Sequence, residues 1–324
     1  MLANNSCNRV GVVLKSYLGD AVMATPLLRC LVQPNFEPVV FVGGPAYDLL
    51  NNRIDCQVQK LKFVCGKSRL LDQVSMLRKS HLDAVVLVNR SFRSALVARA
   101  AGIKQRIGHS TESRGVLLTQ KFRYSKDDPE FISYLDLLSG ISPTSRDIYP
   151  EIDTGNIPCS CGRPSNNGGT VAIQAGARYE SKQIPLDVLA EVGRQLISEG
   201  QEIVLVGGKE EIGQASNLET KIGAKVHNLV GKTEISELIH VLLNCKLVIG
   251  SDTGLMHIAA AVGTKTITVF GPNSSLKWGH NYFPHIVLNA REGRMENVNA
   301  EMILTALRTS DISHKLPKIR SECL

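Results

Sequence analysis

The sequence predicts an α/β protein made of two Rossmann-like, doubly wound parallel-sheet domains facing a cleft. Three observations carry this. Short apolar runs alternate with helix-period segments in the first half; the alternation stops in YPEIDTGNIPCSCGRPSNNGG, residues 149–169; and it then begins again. Strands that alternate with helices imply a parallel sheet covered on both faces. A Pro-, Gly-, Ser- and Asn-rich break between two such halves marks a linker. At 324 residues the chain is long enough for two domains, each burying its own core.

Taken in order, residues 9–15 read as a buried strand and 20–31 as a helix. Residues 39–42 form a strand ending in Gly43-Gly44, and 45–52 a short helix. Helical spacing returns over 68–80, a strand over 83–89, and a helix over 91–102 closed by Gly102. Beyond the linker, 170–173 is a strand and 185–199 a helix, with Pro185 suited to its first turn. Residues 202–206 are a strand, while 211–222 and 234–244 are helices. A last strand–helix–strand unit occupies 246–250, 253–262 and 266–270. The expected division is 1–155 for an N-terminal domain and 168–300 for a C-terminal one. A closing helix and tail, 301–324, is expected to pack back toward the first.

The composition, 43% hydrophobic and 21% charged, is that of a soluble globular chain. Its longest apolar runs, such as AVVLV at 84–88, have strand length and cannot span a membrane. The start, MLANNSCNRVGVVLK, has no basic region followed by an apolar one, so no signal peptide is expected. Eight cysteines lie scattered with no CxxC pair, the nearest two being Cys159 and Cys161. That pattern predicts reduced thiols in a cytoplasmic protein rather than a disulfide framework or a zinc site. Residues 1–150 carry 20 Lys and Arg against 12 Asp and Glu, a net +8, and the remainder 17 against 18. An anionic partner should therefore meet the first half.

Four strand-to-helix turns can carry chemistry. In GSDTGLMHIAAA, Asp252-Thr253-Gly254 is the triplet of aspartic proteases. Those enzymes are all-β and oppose two copies, whereas the only other copy here, Asp153-Thr154-Gly155, falls in the linker. Between a strand and a helix the same residues offer free backbone amides and the positive end of a helix dipole, suited to a phosphate. Asp252 reads alone as a helix N-cap, and His257 lies one turn in. The second turn, Lys15-Ser16-Tyr17-Leu18-Gly19-Asp20, follows the first strand, where open α/β sheets place their sites; Asp20 alone also reads as a cap. The third, QAGARYESKQIP, contains Gly176 and Lys182, a backbone approach and a point charge for a phosphate. The fourth is Gly207-Gly208-Lys209-Glu210-Glu211, whose carboxylates can accept from ribose hydroxyls. Neither GxxxxGK[ST] nor GxGxxG occurs.

The blocks LKSYLGDAVMATPLLRCL, NRSFRSALVARAAGIKQRIG, AGARYESKQIP, LVGGKEE and LVGKTEISELIHVLLNCKLVIGSDTGLMHIAAAVGTKTITVFGP follow in this order. From about residue 9 to 310 the chain resembles the ADP-heptose:lipopolysaccharide heptosyltransferase family of bacterial glycosyltransferases. The DTGLMHIAAA…FGP block is the most specific part. The resemblance implies a GT-B fold, with the nucleotide-sugar donor on the C-terminal domain and the acceptor on the N-terminal one. It implies inverting, metal-independent transfer from an ADP-sugar, which is a co-substrate, with no cofactor. By match to the family's motifs, Asp20 is the general base, and Lys182 with the Thr253 and Gly254 amides neutralises the leaving diphosphate. Asp252 and His257 frame the donor, Glu210 or Glu211 takes the ribose, and Gly176 and Gly207 line the donor site. The family's Lys-Arg/His-Trp-Pro pattern is here Lys182-Gln183-Ile184-Pro185, lacking the aromatic and the second cation.

Physical chemistry agrees with these roles. Glycosyl transfer builds negative charge on the departing diphosphate, and a lysine with a helix N-terminus can meet it. A carboxylate opposite the donor can remove the acceptor proton. Gly19, Asp20, Arg90 and Arg93 are the expected acceptor-binding residues; Arg90, Arg93, Arg99, Lys104, Arg106 and Arg114, in or around the 91–102 helix, read either as a solvated helix face or as a surface for an anionic, lipid-linked glycan. The latter places the protein in the cytoplasm, at the inner face of the membrane, without nucleic acid. Two rivals remain at this level: a sugar-nucleotide epimerase of paired Rossmann folds, and a non-catalytic glycan-binding family member.

Overall fold

The computed structural model describes residues 8–61, 68–142, 144–155 and 169–312. In the first half, β1 (Asn8–Val13), β2 (Phe36–Val42), β3 (Gln57–Lys60), β4 (Ala84–Leu87), β5 (Gln105–His109) and β6 (Gln120–Phe122) alternate with helices α1 (Leu18–Leu31), α2 (Gly44–Leu50), α3 (Ser68–Lys79), α4 (Phe92–Ala100) and α5 (Glu130–Leu135). The second half runs β7 (Thr170–Gln174), α6 (Leu186–Ser198), β8 (Glu202–Val206), α7 (Ile212–Ile222), β9 (His227–Asn228), α8 (Ile235–Leu243) and β10 (Leu247–Ser251). It continues with α9 (Gly254–Ala261), β11 (Thr266–Phe270), α10 (Ser275–Trp278), β12 (Ile286–Asn289) and α11 (Ala300–Ile312).

Each half forms one six-stranded sheet, ordered β3-β2-β1-β4-β5-β6 and β12-β11-β10-β7-β8-β9. Every pairing is parallel. Numbered from its own first strand, each sheet runs 3-2-1-4-5-6, the doubly wound order whose ligand crevice opens at the carboxyl ends of the strands beside the first. The central strands β4, β7, β10 and β11 are buried at every residue, as sheets covered on both faces require. The strands absent from the sequence expectation, β3, β6, β9 and β12, lie toward the sheet edges, where no residue is buried. β5, also unforeseen, begins with two half-buried polar residues.

Three apolar clusters make five layers. One packs α3 and α4 on the outer face of the first sheet. One packs α6, α7 and α11 on the outer face of the second. The third is shared: Val10, Val12, Leu27 and Leu28 of the first half pack in one cluster with Val206, Val248, Ile258 and Ala259 of the second. The start of the interrupted stretch adheres here too. Ile152 is buried and donates its N–H to the Ala261 carbonyl at 3.0 Å, and the Glu151 N–H donates to Thr25 Oγ1 at 3.1 Å. The rest of it, including Cys159 and Cys161, lies outside the described residues. Cys30, Cys56 and Cys245 are free thiols. Among the described residues no helix is long and apolar enough to cross a membrane.

Two expectations need correction. The described part of the closing segment does not return to the first half: Ala300, Ile303 and Leu304 of α11 join the outer core of the second sheet, because its apolar face matches α6 and β11. Arg114 is not part of a basic surface. It is fully buried, and its guanidinium donates to the carbonyls of His109 (2.7 Å), Asn89 (2.5 Å) and Leu87 (3.3 Å), tying the ends of β4 and β5 together. Burial pulls this group down to about 10. Arg114→Met should leave those buried carbonyls unpaired and destabilise the protein by about 3 kcal/mol, read as a lower urea midpoint with unchanged slope.

Candidate active site

Both candidate carboxylates sit at strand-to-helix turns, and neither caps its helix. Tyr17 is the N-cap residue of α1 and Thr253 that of α9, neither through its side chain. Asp20 is buried in the first turn of α1, where Lys15 Nζ donates to Oδ1 at 2.5 Å and the Tyr134 hydroxyl to the same oxygen at 2.9 Å. Among the described residues no hydrogen bond goes to Oδ2. Complete burial and the neighbouring Asp20 push the Tyr134 phenol well above its ordinary range, which keeps it a donor.

Asp252, one residue before the α9 N-cap, turns toward the loops of its own half. Lys182 Nζ donates to Oδ2 at 2.8 Å and to the Asp252 carbonyl at 3.3 Å, and Asn273 Nδ2 donates to Oδ2 at 2.5 Å. His257 Nε2 lies 3.5 Å from Oδ1. Burial alone would raise this carboxyl, but His257 and Lys182 outweigh it and hold the group far below the usual carboxylate range. On its other side His257 shares a bond from Nδ1 to His280 Nε2 at 2.9 Å, and His280 Nδ1 meets the Tyr282 hydroxyl at 2.7 Å. Burial lowers His280 well below an ordinary histidine and keeps it neutral.

The two turns touch. A Cβ on Gly19 would stand 2.7 Å from His257 Cδ2, and one on Gly254 would stand 2.7 Å from Leu18 Cβ. Glycine at both positions is what lets the starts of α1 and α9 abut, so Asp20 of one half comes beside the Asp252–His257–Lys182 group of the other.

The remaining candidates gather behind β7 and β8. Glu211 packs against Gly176 and Gly207, so that a Cβ at Gly176 would stand 3.2 Å from its Cγ and one at Gly207 would displace its carboxylate, and its Oε2 accepts from the Gly208 N–H at 3.1 Å. Burial raises its carboxyl above the ordinary range. Glu210 is exposed. Thr253 Oγ1 donates to Gln174 Oε1 at 3.0 Å, joining the β7 end to the α9 turn. On the first half, Arg90 lies over the Tyr124 ring at 3.9 Å, half-buried, while Arg93, Arg99 and Lys104 are exposed.

Sequence reasoning passed over Lys15, Glu130, Tyr134, Gln174, Asn273, Lys277, His280 and Tyr282. The signal for several was present: FGPNSSLKWGHNYFPH, after β11, packs polar and aromatic residues into a stretch without strand or helix period.

A family model described as Glycosyltransferase family 9 (heptosyltransferase) matches residues 72–305. The chain is 28% identical over 293 residues to lipopolysaccharide heptosyltransferase 2 of Escherichia coli strain K12, covering 82% of this chain and 83% of that protein. In fold it is similar to E. coli ADP-heptose lps heptosyltransferase II, at 22% identity and a TM-score of 0.77, covering 95% of this chain and 100% of that one. It is similar likewise to E. coli heptosyltransferase WaaC with ADP, at 18% identity and a TM-score of 0.77, covering 93% and 99%.

Proposed function

The chain belongs to glycosyltransferase family 9 (heptosyltransferase), and we propose that it moves a heptose or a related sugar from an ADP-sugar to a lipopolysaccharide-core or related surface-glycan acceptor, inverting the anomeric centre without a metal. The observation that carries this reading is the meeting of two unlike groups at abutting helix starts: a buried carboxylate, Asp20, from one half, and Lys182 with the α9 amides from the other. A carboxylate facing a cation cluster supplies both ends of a displacement at an anomeric carbon.

In this reading the donor diphosphate lies against the amides of Gly254 and its neighbours, with Lys182 reaching it from beside Asp252. Gly176 and Gly207 make room for the Glu211 side chain at the nucleotide end of the site, and Glu211, or the exposed Glu210, accepts from the ribose. The ADP identity draws support from the solved relative with ADP. The acceptor enters over Gly19 and Asp20, with Arg90 and Arg93 toward its anionic groups. As the acceptor oxygen bonds to the anomeric carbon from the face opposite the diphosphate, its proton passes to Asp20 Oδ2. The C–O bond to the diphosphate breaks, and the new charge is met by Lys182 and the helix start. His257, 3.5 Å from Asp252 Oδ1, frames the donor beside it. The net +8 of residues 1–150 supports docking at an anionic inner membrane surface, where a lipid-linked acceptor would lie.

The test is release of ADP from the ADP-sugar only when acceptor is present. Release without acceptor, or interconversion of the sugar with its nucleotide retained, would favour an epimerase instead. ADP-heptose should also raise the thermal midpoint more than GDP- or UDP-sugars, since a ligand at 100 times its Kd stabilises by about 2.7 kcal/mol. Transfer is expected to persist at full rate in excess chelator. A rate that collapses with EDTA and returns with Mn²⁺ or Mg²⁺ would refute the metal-independent route.

A further inference from the structure

Glu130, the first residue of α5, is completely buried (0% exposed), yet three cations surround it. The Tyr124 hydroxyl donates to Oε2 at 2.7 Å, and Lys277 Nζ stands 3.1 Å from the same oxygen. Oε1 has Lys15 Nζ at 3.8 Å and Arg90 at 3.9 Å but accepts no hydrogen bond. Burial would raise the Glu130 carboxyl, but Tyr124 and the cations outweigh it and lower it, so the group is charged.

Lys277 does not belong to this half. It comes from α10, between β11 and β12 of the second sheet, and is 5% exposed. Its ammonium donates to the Ser125 carbonyl (2.7 Å), the Asp128 carbonyl (2.8 Å) and Ser133 Oγ (3.0 Å), all in the first half. Its fourth neighbour is Glu130. A buried ammonium with every proton partnered across the junction pins the halves together. Lys15 in turn is shared, 2.5 Å from Asp20 and 3.8 Å from Glu130.

We propose that Glu130 is a positioning residue of the transfer reaction, a buried counter-charge that receives Lys15 while Asp20 takes the acceptor proton, held in place by Lys277 from the opposite half. This rests on the general-base reading of Asp20. When the acceptor O–H breaks and its proton bonds to Asp20 Oδ2, Asp20 becomes neutral and Lys15, still an ammonium, loses its counter-charge. Glu130 Oε1 is unpartnered and about 1 Å beyond hydrogen-bond reach of Lys15, so a small swing of the lysine restores an ion pair. Deprotonation of Asp20 to solvent after product release returns Lys15. The groups facing Asp20 are Lys15 and Tyr134 from its own half and, across Gly19, His257 from the other. With the halves apart, Glu130 loses Lys277 and competes harder for Lys15, so Asp20 is correctly held only when the halves have met.

The test measures acceptor turnover against pH, donor Kd and thermal midpoint for Glu130→Gln and for Glu130→Gln/Lys277→Met, which removes both charges at once. The single variant should lose about 10- to 100-fold in kcat, as outer partners of catalytic groups do. Its acid limb should move to lower pH, because a negative charge beside the base is gone, and donor Kd should stay within twofold. The double variant should regain the midpoint but neither the rate nor the wild-type limb. Recovery of rate together with fold, or a single variant with the wild-type limb, would overturn the proposal. If the single variant does not fold, the limb of the double variant decides alone. Asp20→Asn runs in parallel: wild-type turnover there defeats the general-base reading, whereas a dead Asp20→Asn beside Glu130 variants of wild-type profile defeats only the relay.

Discussion

Asp20→Asn is expected to cut sugar transfer by about 10³-fold or more, near the upper part of what a positioned general base contributes, while donor affinity stays within a few fold. The expectation follows from how the carboxylate is held. Both hydrogen bonds to Asp20 go to Oδ1, from Lys15 and Tyr134, which fixes the rotamer and leaves Oδ2 as the oxygen available to an acceptor hydroxyl. The amide keeps an Oδ1 for Tyr134 and the same volume, so the α1–α9 contact through Gly19 should survive. It presents an NH₂ where Oδ2 was, which cannot take a proton. The readouts are ADP release with acceptor and calorimetric titration of the donor. Transfer at the wild-type rate would show that the proton leaves by another route. Lost donor binding would show instead that the substitution had disturbed the turn, and Asp20→Ala then separates the two.

How much of this was visible in the sequence depends on the range of the interaction. Strands such as β8 and β11, apolar and bounded by turn residues, were read to within their observed ends. Edge strands such as β3 and β6 were invisible, because a strand paired on one side needs no apolar run to be stable. Both carboxylate turns were legible as strand ends running into helices. Their alternative as helix caps was equally consistent with local sequence, and only the partners decide it: Lys182 is 70 positions from Asp252, and Tyr134 is 114 from Asp20. Arg114 shows the converse. In sequence it is one more cation in a basic segment; in space Gly108 and the carbonyls at the ends of β4 and β5 form a socket for it. Lys277 followed the same rule, since a lysine after the last recognised motif gives no sign that its ammonium is buried in the other half.

Lys182→Met should lower kcat by about 10²- to 10³-fold, the loss found when one preorganised donor to a developing anion is removed, and should weaken donor binding as well. The lysine is not a free surface charge. It is held at 2.8 Å from Asp252 Oδ2, beside Asn273, so its position before donor arrives is the position from which it meets the diphosphate. Preorganisation of this kind is what makes a cation effective in the transition state, because no reorganisation follows the charge. Its removal also strands Asp252, buried and faced, among the described residues, by Asn273 and His257, so a disturbed turn contributes to the loss alongside any direct effect on the diphosphate. Lys182→Met/Asp252→Asn resolves this, since the neutral pair leaves no uncompensated charge. A thermal midpoint that recovers while transfer stays low assigns the lysine to the leaving diphosphate. Recovery of transfer along with the midpoint would reduce Lys182 to a structural partner of Asp252 and leave the α9 amides as the only support for the departing charge.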